Sequence, residues 1–293
     1  MTTLRLRYAC LAVVALVVAI VCLRQPEHGA PSKPVWDITP PSSDRVLLSI
    51  PSVSVDTVRD DVFTFVQMSG NGPQDRRGYC ESLLRKAGCD PRVTQDGDVW
   101  VWKQGSGSEV VILGAHHDKA SGPGVGILDN MLGCILVARL ADAFHHMDTR
   151  ASYLIVLYND EERGRRIGSA NHPPGAPKYG RPAYIIEIDY VGDKRAPLGG
   201  RWLGPMQEYT VAGLKLSSYP MPKPPTIHTE RDSMSNVDVA KAYLAYETAL
   251  FLIEGIERGD GLVPPDTVAF WKKDSPYRPL PHRRATDSPE SRP

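Results

Sequence analysis

The fold is indicated most clearly by residues 109–118, whose sequence is EVVILGAHHD. The apolar and β-branched part of this stretch has the length of a buried strand, and it runs directly into polar side chains. Two further short apolar runs do the same: Ser152–Tyr158 leads into a pair of glutamates, and Ala183–Ile188 leads into Asp189. Because strands of an α/β sheet deliver side chains from their carboxyl ends to a common crevice, we expect these polar ends to meet.

The strands alternate with segments of helical periodicity, which places the chain in the α/β class. The helical segments are Val55–Gln67, Arg76–Ala87, Met131–Phe144 and Asn236–Glu257. Pro91–Thr94 and Val99–Lys103 are expected to form a strand pair around an Asp-Gly turn. We therefore predict a largely parallel or mixed sheet with helices on both faces.

Composition indicates a globular core and excludes a nucleic-acid partner. Of the 293 residues, 42% are hydrophobic, and Lys plus Arg equals Asp plus Glu at 34 each. The chain therefore lacks the broad positive field that nucleic-acid binding requires. The predicted organisation is a signal-anchor or signal peptide at 1–24, a Pro-rich spacer at 25–50, the folded domain at 51–260, and a Pro-rich, charged tail at 261–293. We expect the tail to be disordered, although Val268–Trp271 could dock on the domain.

The N-terminus carries an uninterrupted apolar run, Tyr8–Leu23, with Arg5 and Arg7 before it and Arg24 after it. This pattern favours an uncleaved signal-anchor over a cleaved signal peptide. Positive charge before the run keeps that end in the cytoplasm. We therefore predict a membrane-anchored protein whose folded domain lies outside the cytoplasm, in the periplasm or extracellular space, or a secreted one if the run is cleaved.

Three cysteines follow the apolar run. Cys80 and Cys89 could form a disulfide in an oxidising compartment or pack as two free thiols, and the spacing leaves both open. Cys134 falls on the apolar face of a predicted helix. We expect it to belong to the core.

Five positions along the chain carry acids and imidazoles in an order that suits a metal site. They are His116, Asp129, the Glu161-Glu162 pair, Asp189 and His228. Each alone is a weak signal, but their joint placement after successive strands is specific. Oxygen and nitrogen ligands without cysteine suit Zn²⁺, Mn²⁺ or Co²⁺, and a carboxylate can bridge two such ions.

Chemistry suggests how the metal ligands divide between two ions. Asp129 can bridge the ions with its two oxygens. His116 and Asp189 would complete one position, and Glu162 and His228 would complete the other. Ions in this arrangement can share a water molecule and lower its pKa.

Glu161 is the expected general base. Neighbouring residues on an extended segment face opposite sides, so Glu161 should point away from its neighbour Glu162. It could then take a proton from the water and pass it to the leaving amine.

Two aspartates are expected to orient the histidine ligands. Asp118 lies on the same side of an extended segment as His116 and could accept its second ring N–H, an indirect catalytic role. Asp232 could act similarly on His228. His117 could replace its neighbour as a ligand, but strand alternation should direct it away.

The chain contains five short motifs around these residues: Gly-Ala-His-His-Asp, Leu-Asp-Asn, Asp-Glu-Glu-Arg-Gly, Ile-Asp-Tyr-Val-Gly and Ile-His-Thr-x-x-Asp. Together they resemble the motifs of the dinuclear zinc aminopeptidases of peptidase clan MH. The chain looks most like the aminopeptidase Y and bacterial leucyl aminopeptidase type, over roughly Val55–Glu257. The resemblance implies a three-layer α/β/α sandwich with a central mixed, mostly parallel sheet. It also implies two zinc ions per chain, a peptide or aminoacyl-amide substrate cut at its N-terminal residue, and a cis peptide bond after Asp129.

Two other functions remain open. Glutaminyl-peptide cyclotransferases resemble the same scaffold and use one zinc ion, which positions matching Asp129, Glu162 and His228 would hold. A non-catalytic, membrane-tethered binding module could also keep the fold, although such a module has no need for Glu161. The number of metal ions per chain separates the three.

Overall fold

A computed structural model gives the fold and describes residues 53–68, 72–167, 173–179, 182–203, 212–218, 226–262 and 270–271. The predicted N-terminal anchor and spacer lie outside the described residues, as do residues 272–293 of the predicted tail. In the part of the chain that is described, no helix is long and apolar enough to cross a membrane.

In the described residues, eight strands form a single mixed sheet, which confirms the predicted α/β class. The strands are β1 (Arg92–Val93), β2 (Val99–Lys103), β3 (Val110–His116), β4 (Ser152–Tyr158), β5 (Tyr184–Ile188), β6 (Gly199–Leu203), β7 (Ala212–Ser217) and β8 (Phe270–Trp271). Their order across the sheet is β1-β2-β4-β3-β5-β7-β6-β8. The four central strands β4, β3, β5 and β7 are parallel to one another, and β2 and β6 run antiparallel to them on either side.

The register of the central strands brings their carboxyl ends to one edge of the sheet. His116, the last residue of β3, pairs with Tyr158, the last residue of β4. On the other side of β3, Gly114 pairs with Glu187 near the end of β5. The polar residues that follow these strands are therefore neighbours in space, as the sequence predicts.

Four helices accompany the sheet close to their predicted positions. They are α1 (Val55–Gln67), α2 (Pro73–Lys86), α3 (Leu132–His145) and α4 (Val239–Arg258). Helix α1 begins at Ser54, whose side chain accepts the Thr57 N–H at 3.1 Å. Helix α4 begins at Asp238 and ends at Gly259, whose φ of 84° is the left-handed conformation common after a helix.

All four helices pack against the same face of the sheet. Val62 of α1, Leu84 of α2, Leu140 of α3 and Ile253 of α4 belong to one buried cluster with Leu113 of β3. Each fully buried aliphatic side chain of this kind stabilises the fold by about 1.5–3 kcal/mol. The cluster therefore fixes the strands whose ends carry the polar residues.

The opposite face of the sheet has a smaller core. Ile112, Val156 and Ile185 are buried there, and Ala176 and Tyr179 pack over them from a non-helical segment. None of the four helices contributes to this second cluster. Within the described ranges, the third layer is therefore built by loops, as suits a segment rich in proline and glycine.

Two strands at one side of the sheet, β6 and β7, have no counterpart in the sequence prediction, and a third, β8, lies in the tail segment that could dock on the domain. Strands β6 and β7 form an antiparallel pair, and β8 adds in parallel to β6. The predicted domain end at residue 260 is therefore too early, because Phe270–Trp271 completes the edge of the sheet. A strand of two residues is too short to show apolar periodicity, so the sequence pattern alone does not reveal it.

The cysteines in the described ranges are free thiols. Of the two alternatives for Cys80 and Cys89, the structure has the unpaired one, with Cys80 buried and Cys89 partly exposed. Cys134 is buried in the main cluster as expected, and its thiol donates to the carbonyl oxygen of His116 at 3.1 Å.

Candidate metal centre

The predicted site residues come together at the carboxyl edge of the central strands. His116 ends β3 and Asp189 directly follows β5. Asp129 lies in the turn Ile127–Met131 immediately before α3, where Asp129 and Asn130 have non-helical backbone angles. Glu161 and Glu162 lie in a 3-10 turn after β4, and His228 lies in a turn ahead of α4.

The ligand candidates form two groups that share Asp129. We call His116, Asp129 and Asp189 the strand-side group, and Asp129, Glu162 and His228 the loop-side group. Within each group, one potential ligand atom per residue lies within 4.8 Å of the others. This is the division that the chemistry of the ligands predicts.

Asp129 turns one oxygen to each group. In the strand-side group, His116 Nε2 lies 3.2 Å from Asp129 Oδ1 and 3.1 Å from Asp189 Oδ1. In the loop-side group, His228 Nε2 lies 3.2 Å from Asp129 Oδ2 and 2.9 Å from Glu162 Oε2. A carboxylate with its two oxygens directed at separate ligand sets has the geometry of a bridging ligand.

The residues present fit divalent cations. Three carboxylates and two imidazoles converge without a cysteine, which matches the donor preference of zinc. Glu162 Oε1 is buried and accepts no hydrogen bond from the described residues, so this ligand candidate has an unused acceptor oxygen. Unpaired buried acceptors are costly, and a bound cation would remove that cost.

A backbone turn fixes the position of Asp129. The peptide bond between Asp129 and Asn130 is cis, as the family resemblance implies. The side chain of Asn130 donates to the carbonyl oxygen of Ile188 at 2.8 Å and accepts the N–H of Tyr190 at 3.2 Å. The turn that carries Asp129 is thereby tied to the residues on either side of Asp189.

Asp232 has a different role from the predicted one. Its carboxylate accepts the backbone N–H groups of Ile127 and Leu128 at 2.8 and 2.7 Å, and that of Asp129 at 3.3 Å. It therefore orients the turn of Asp129, whereas the sequence predicted that it would orient His228. Burial raises the pKa of Asp232 to about 6, although these N–H groups favour its charged form.

Asp118 contacts both sides of the site. Its Oδ1 lies 3.3 Å from Nδ1 of His116, which agrees with the predicted orienting contact. Its two oxygens also accept the backbone N–H groups of Glu161 and Glu162, each at 3.1 Å. Asp118 thus positions the glutamate turn as well, a contact that alternation along a strand does not reveal.

Glu161 lies beside the strand-side group, but the backbone conformation that places it there differs from the predicted one. Residues 161–163 form a 3-10 turn, so the argument from an extended segment is wrong. Glu161, Glu162 and His116 nevertheless converge closely enough to share a cation. Burial raises the pKa of Glu161 to about 7, with a smaller opposing effect from His116.

His117 points away from the cluster, as strand alternation predicts. Its Nε2 lies 3.0 Å from the carbonyl oxygen of Gly97, on the turn between β1 and β2. Burial lowers its pKa, which favours the neutral imidazole. His117 is therefore no substitute for His116 as a ligand in this geometry.

A buried arginine supports the loop before Asp129. Arg76 of α2 donates to the carbonyl oxygens of His117, Val125 and Gly126 at 2.5, 3.0 and 2.9 Å. These bonds join the end of β3 to the loop that leads into the Asp129 turn. Sequence reasoning placed Arg76 only as the start of a helix.

Glycines let this loop approach the His228 turn closely. A Cβ atom on Gly122 would lie 2.9 Å from the carbonyl oxygen of His228, and one on Gly124 would lie 2.2 Å from that of Thr229. Any side chain at Gly124 would therefore displace the backbone beside His228.

Lys215 of β7 is the site residue that the sequence prediction missed. Its Nζ lies 2.5 Å from Asp189 Oδ2 and 3.3 Å from Glu187 Oε2. Burial opposes the charged amine, but Asp189 and Glu187 together raise the pKa of Lys215 above its ordinary value. In turn, Lys215 and His116 lower the pKa of Asp189, although burial acts in the opposite direction.

The carboxylates around His116 favour its charged form in the absence of a metal ion. Burial alone would lower its pKa, but Asp118, Asp129 and Asp189 together raise it well above 6.5. A metal ion bound through Nε2 would have to displace that proton.

A family model supports the interpretation of the site. Residues 99–198 match Peptidase family M28. This segment contains His116, Asp129, Asp189 and the glutamate pair, whereas His228 lies beyond it. The sequence has no significant match among curated proteins.

Solved structures share the fold at low sequence identity. The LapA aminopeptidase of Legionella pneumophila is 12% identical, with a TM-score of 0.57, over 72% of this chain and 73% of that one. A leucine aminopeptidase precursor of Bacteroides thetaiotaomicron is 14% identical, with a TM-score of 0.56, over 71% and 99%. The glutaminyl cyclase of Tannerella forsythia is 16% identical, with a TM-score of 0.54, over 69% and 99%.

The family match and the shared fold agree with the motifs and with the geometry of the site. Residues 99–198 are therefore similar to peptidase family M28, and the described fold is one that aminopeptidases and glutaminyl cyclases of known structure share.

Proposed function

We propose that the chain is a zinc-dependent aminopeptidase that holds two zinc ions and releases N-terminal residues from peptides. The observation that carries this proposal is the arrangement of Asp129, whose two oxygens face two separate ligand groups. The strand-side group would hold one ion and the loop-side group the other. The aminopeptidases that share the fold support the choice of reaction.

The residues around the proposed ions would transfer the proton and hold the general base in position. When bound, the two zinc ions would lower the pKa of a water molecule between them and polarise the scissile carbonyl. Glu161 would take a proton from that water and return it to the leaving amine. Its pKa of about 7 in the metal-free protein is close to the pH at which such a transfer is efficient. Asp118 would keep Glu161 in place through its backbone N–H.

Replacement of Glu161 tests the mechanism. Glu161→Gln should lower the hydrolysis of aminoacyl p-nitroanilides by roughly 10²- to 10⁴-fold, because only proton transfer is lost. Its zinc content should match that of the unaltered protein. Asp160→Asn is the matched control, since Asp160 lies next to the site in the left-handed conformation that asparagine tolerates. Near-normal turnover by Glu161→Gln would refute the assignment.

A glutaminyl cyclase is the second candidate, and Lys215 favours it. An ammonium group beside Asp189 offsets charge that a second zinc ion would otherwise neutralise. A cyclase would need one zinc ion, at the loop-side group. About two zinc ions per chain with aminoacyl-amide hydrolysis would support the aminopeptidase, and one ion with pyroglutamate formation from glutaminyl peptides would support the cyclase. Absence of zinc would support a non-catalytic module instead.

We also propose that the protein is anchored in a membrane through Tyr8–Leu23, with the domain outside the cytoplasm. The support is the sequence alone: an apolar run with Arg5 and Arg7 before it. The protein should sediment with membranes, and deletion of residues 1–24 should release it. A full-length protein that stays in the soluble cytoplasmic fraction would refute the proposal.

A further inference from the structure

We propose that Asp98 and Arg165 form an ion pair that positions Glu161 for proton transfer, because the pair closes the base of the loop that carries Glu161. We call residues 159–165 the glutamate loop. The inference rests on the proposed function, in which Glu161 is the general base. Asp98 and Arg165 are positioning residues, since they act on the reaction only through this loop.

Asp98 holds both ends of the glutamate loop. Its Oδ1 accepts the backbone N–H of Asn159 at 3.0 Å, where the loop begins. Its two oxygens also accept hydrogen bonds from Nη1 and Nη2 of Arg165, each at 2.7 Å, where the loop ends. An arginine that bonds to both oxygens of a carboxylate is held more strongly and in a narrower range of orientations than by a single contact. One carboxylate therefore joins the two ends of the loop.

The turn that carries Asp98 is itself fixed. The backbone N–H of Asp98 donates to Oγ1 of Thr94 at 3.0 Å, and the N–H of Thr94 donates to the carbonyl oxygen of Asp98 at 2.9 Å. Gly97 of the same turn contacts Nε2 of His117 through its carbonyl oxygen, beside the end of β3. The side chain of Asp98 is only 2% exposed, so its charge would be costly without the guanidinium of Arg165.

Asp118 alone constrains only the middle of the loop. Its oxygens accept the backbone N–H groups of Glu161 and Glu162, each at 3.1 Å. Without the pair of Asp98 and Arg165, the end of the loop at residue 165 would be free to shift, and Glu161 would shift with it. A displacement of about 1 Å at a reacting group can lower the rate about a hundredfold.

Steady-state hydrolysis of an aminoacyl p-nitroanilide by the full-length, zinc-saturated chain tests the inference. Arg165→Met removes the donors but keeps an apolar side chain of similar length. It should lower kcat by roughly 10- to 100-fold with little change in KM, because the base is displaced and substrate binding is not. In the metal-free protein, the backbone N–H of Glu161 should lose protection from hydrogen exchange in the same variant.

A double variant separates positioning from stability. Arg165→Met leaves the buried carboxylate of Asp98 without its partner, so the urea midpoint of unfolding should fall. Addition of Asp98→Asn removes that charge, so the midpoint should rise again. In the double variant kcat should stay as low as in Arg165→Met alone, because the two ends of the loop are still not joined. The double variant contains no unpaired charge at residue 98, so the test stays decisive even if Arg165→Met fails to fold.

A second buried arginine provides the matched control. Arg139 of α3 donates through Nε to Asp61 of α1 at 2.6 Å, and both residues are buried. Arg139→Met should lower the urea midpoint, as Arg165→Met does, but should leave kcat and the exchange protection of Glu161 unchanged.

Each contrary result identifies what has failed. Unchanged kcat in Arg165→Met, or recovery of kcat together with stability in the double variant, would overturn the inference and leave the proposed function intact. A fall in kcat in Arg139→Met as large as that in Arg165→Met would also overturn the inference. Absence of hydrolysis by the unaltered protein, or full activity of Glu161→Gln, would overturn the proposed function and this inference together.

Discussion

The strand-side and loop-side groups share Asp129 but are built in different ways. His116 and Asp189 are supplied by the ends of β3 and β5, and the exposed fractions of their side chains are 1% and 15%. Glu162 and His228 come from turns, and His228 is 36% exposed. The pairing of parallel strands fixes the first group, whereas the turns around the second are fixed by backbone N–H groups that donate to Asp118 and Asp232. The strand-side ligands have limited freedom to rearrange, and the cluster is most open to solvent at His228, since the side chain of Glu162 is only 9% exposed.

The strongest test of this contrast removes the residue that both groups share. Asp129→Ala should reduce zinc affinity at both groups by at least about a hundredfold, since even residues behind the ligands are worth 10- to 100-fold. Equilibrium dialysis with zinc determination measures the loss. If one zinc ion per chain remains at the affinity of the unaltered protein, the groups do not share a bridging ligand.

A smaller effect is expected from the residue that orients the shared turn. Asp232→Asn removes the negative charge and one of the two acceptor oxygens, so the side chain can no longer accept all three N–H groups of residues 127–129. Zinc affinity should fall by roughly 10- to 100-fold at both groups, and the free energy of unfolding by about 1–3 kcal/mol. Urea denaturation and zinc titration measure these changes. If zinc affinity falls only at the loop-side group, which contains His228, the original prediction that Asp232 orients His228 would be supported.

The charge on His116 predicts a pH dependence specific to the strand-side group. Because its pKa is raised well above 6.5 in the metal-free protein, zinc must displace a proton there near neutral pH, and zinc affinity should rise as the pH rises. Conversely, the stability that protonated His116 gives the metal-free protein is present below pH 6.5 and is lost as the pH rises through the raised pKa.

Calorimetry in buffers of different ionisation enthalpy counts the released protons. His116→Gln should release roughly one proton fewer per chain at pH 7 than the unaltered protein. Equal proton release by the two proteins would mean that His116 is already neutral in the metal-free state.

The smallest effect is expected from loss of the hydrogen bond between Tyr158 and Glu187, next to the strand-side group. Tyr158→Phe removes the hydroxyl that donates to Glu187, so the free energy of unfolding of the metal-free protein should fall by about 1–2 kcal/mol. Urea denaturation measures the change. Zinc binding at the loop-side group should be unaffected, and a change in its zinc affinity would show that the groups are coupled more strongly than their construction suggests.

The sequence predicts the parts of the site that follow strong local patterns. The positions of His116 and Asp189 follow from apolar strands that end in polar residues, and the cis peptide after Asp129 follows from the family resemblance. The 3-10 turn of Glu161 is set by the carboxylate of Asp118, which periodicity does not show.

Residues that act across strands are harder to predict. Lys215 reaches Asp189 only because β7 pairs with β5, and the pattern Gly-Leu-Lys-Leu-Ser gives no sign of that neighbour. Asp232 lies near His228 in sequence, yet its partners are the N–H groups of residues 127–129, over a hundred positions earlier. Both contacts depend on tertiary pairing.

The pairing of β8 with β6 affects how the domain should be shortened for experiments. A chain that ends at residue 260 would lack Phe270–Trp271 and would leave the N–H and C=O groups of β6 without their outer partner. Unpaired edge strands readily add a strand from another molecule, which leads to aggregation. A soluble fragment should therefore extend past Trp271, and insolubility of a shorter one would reflect a missing edge strand and not a defect of the metal centre.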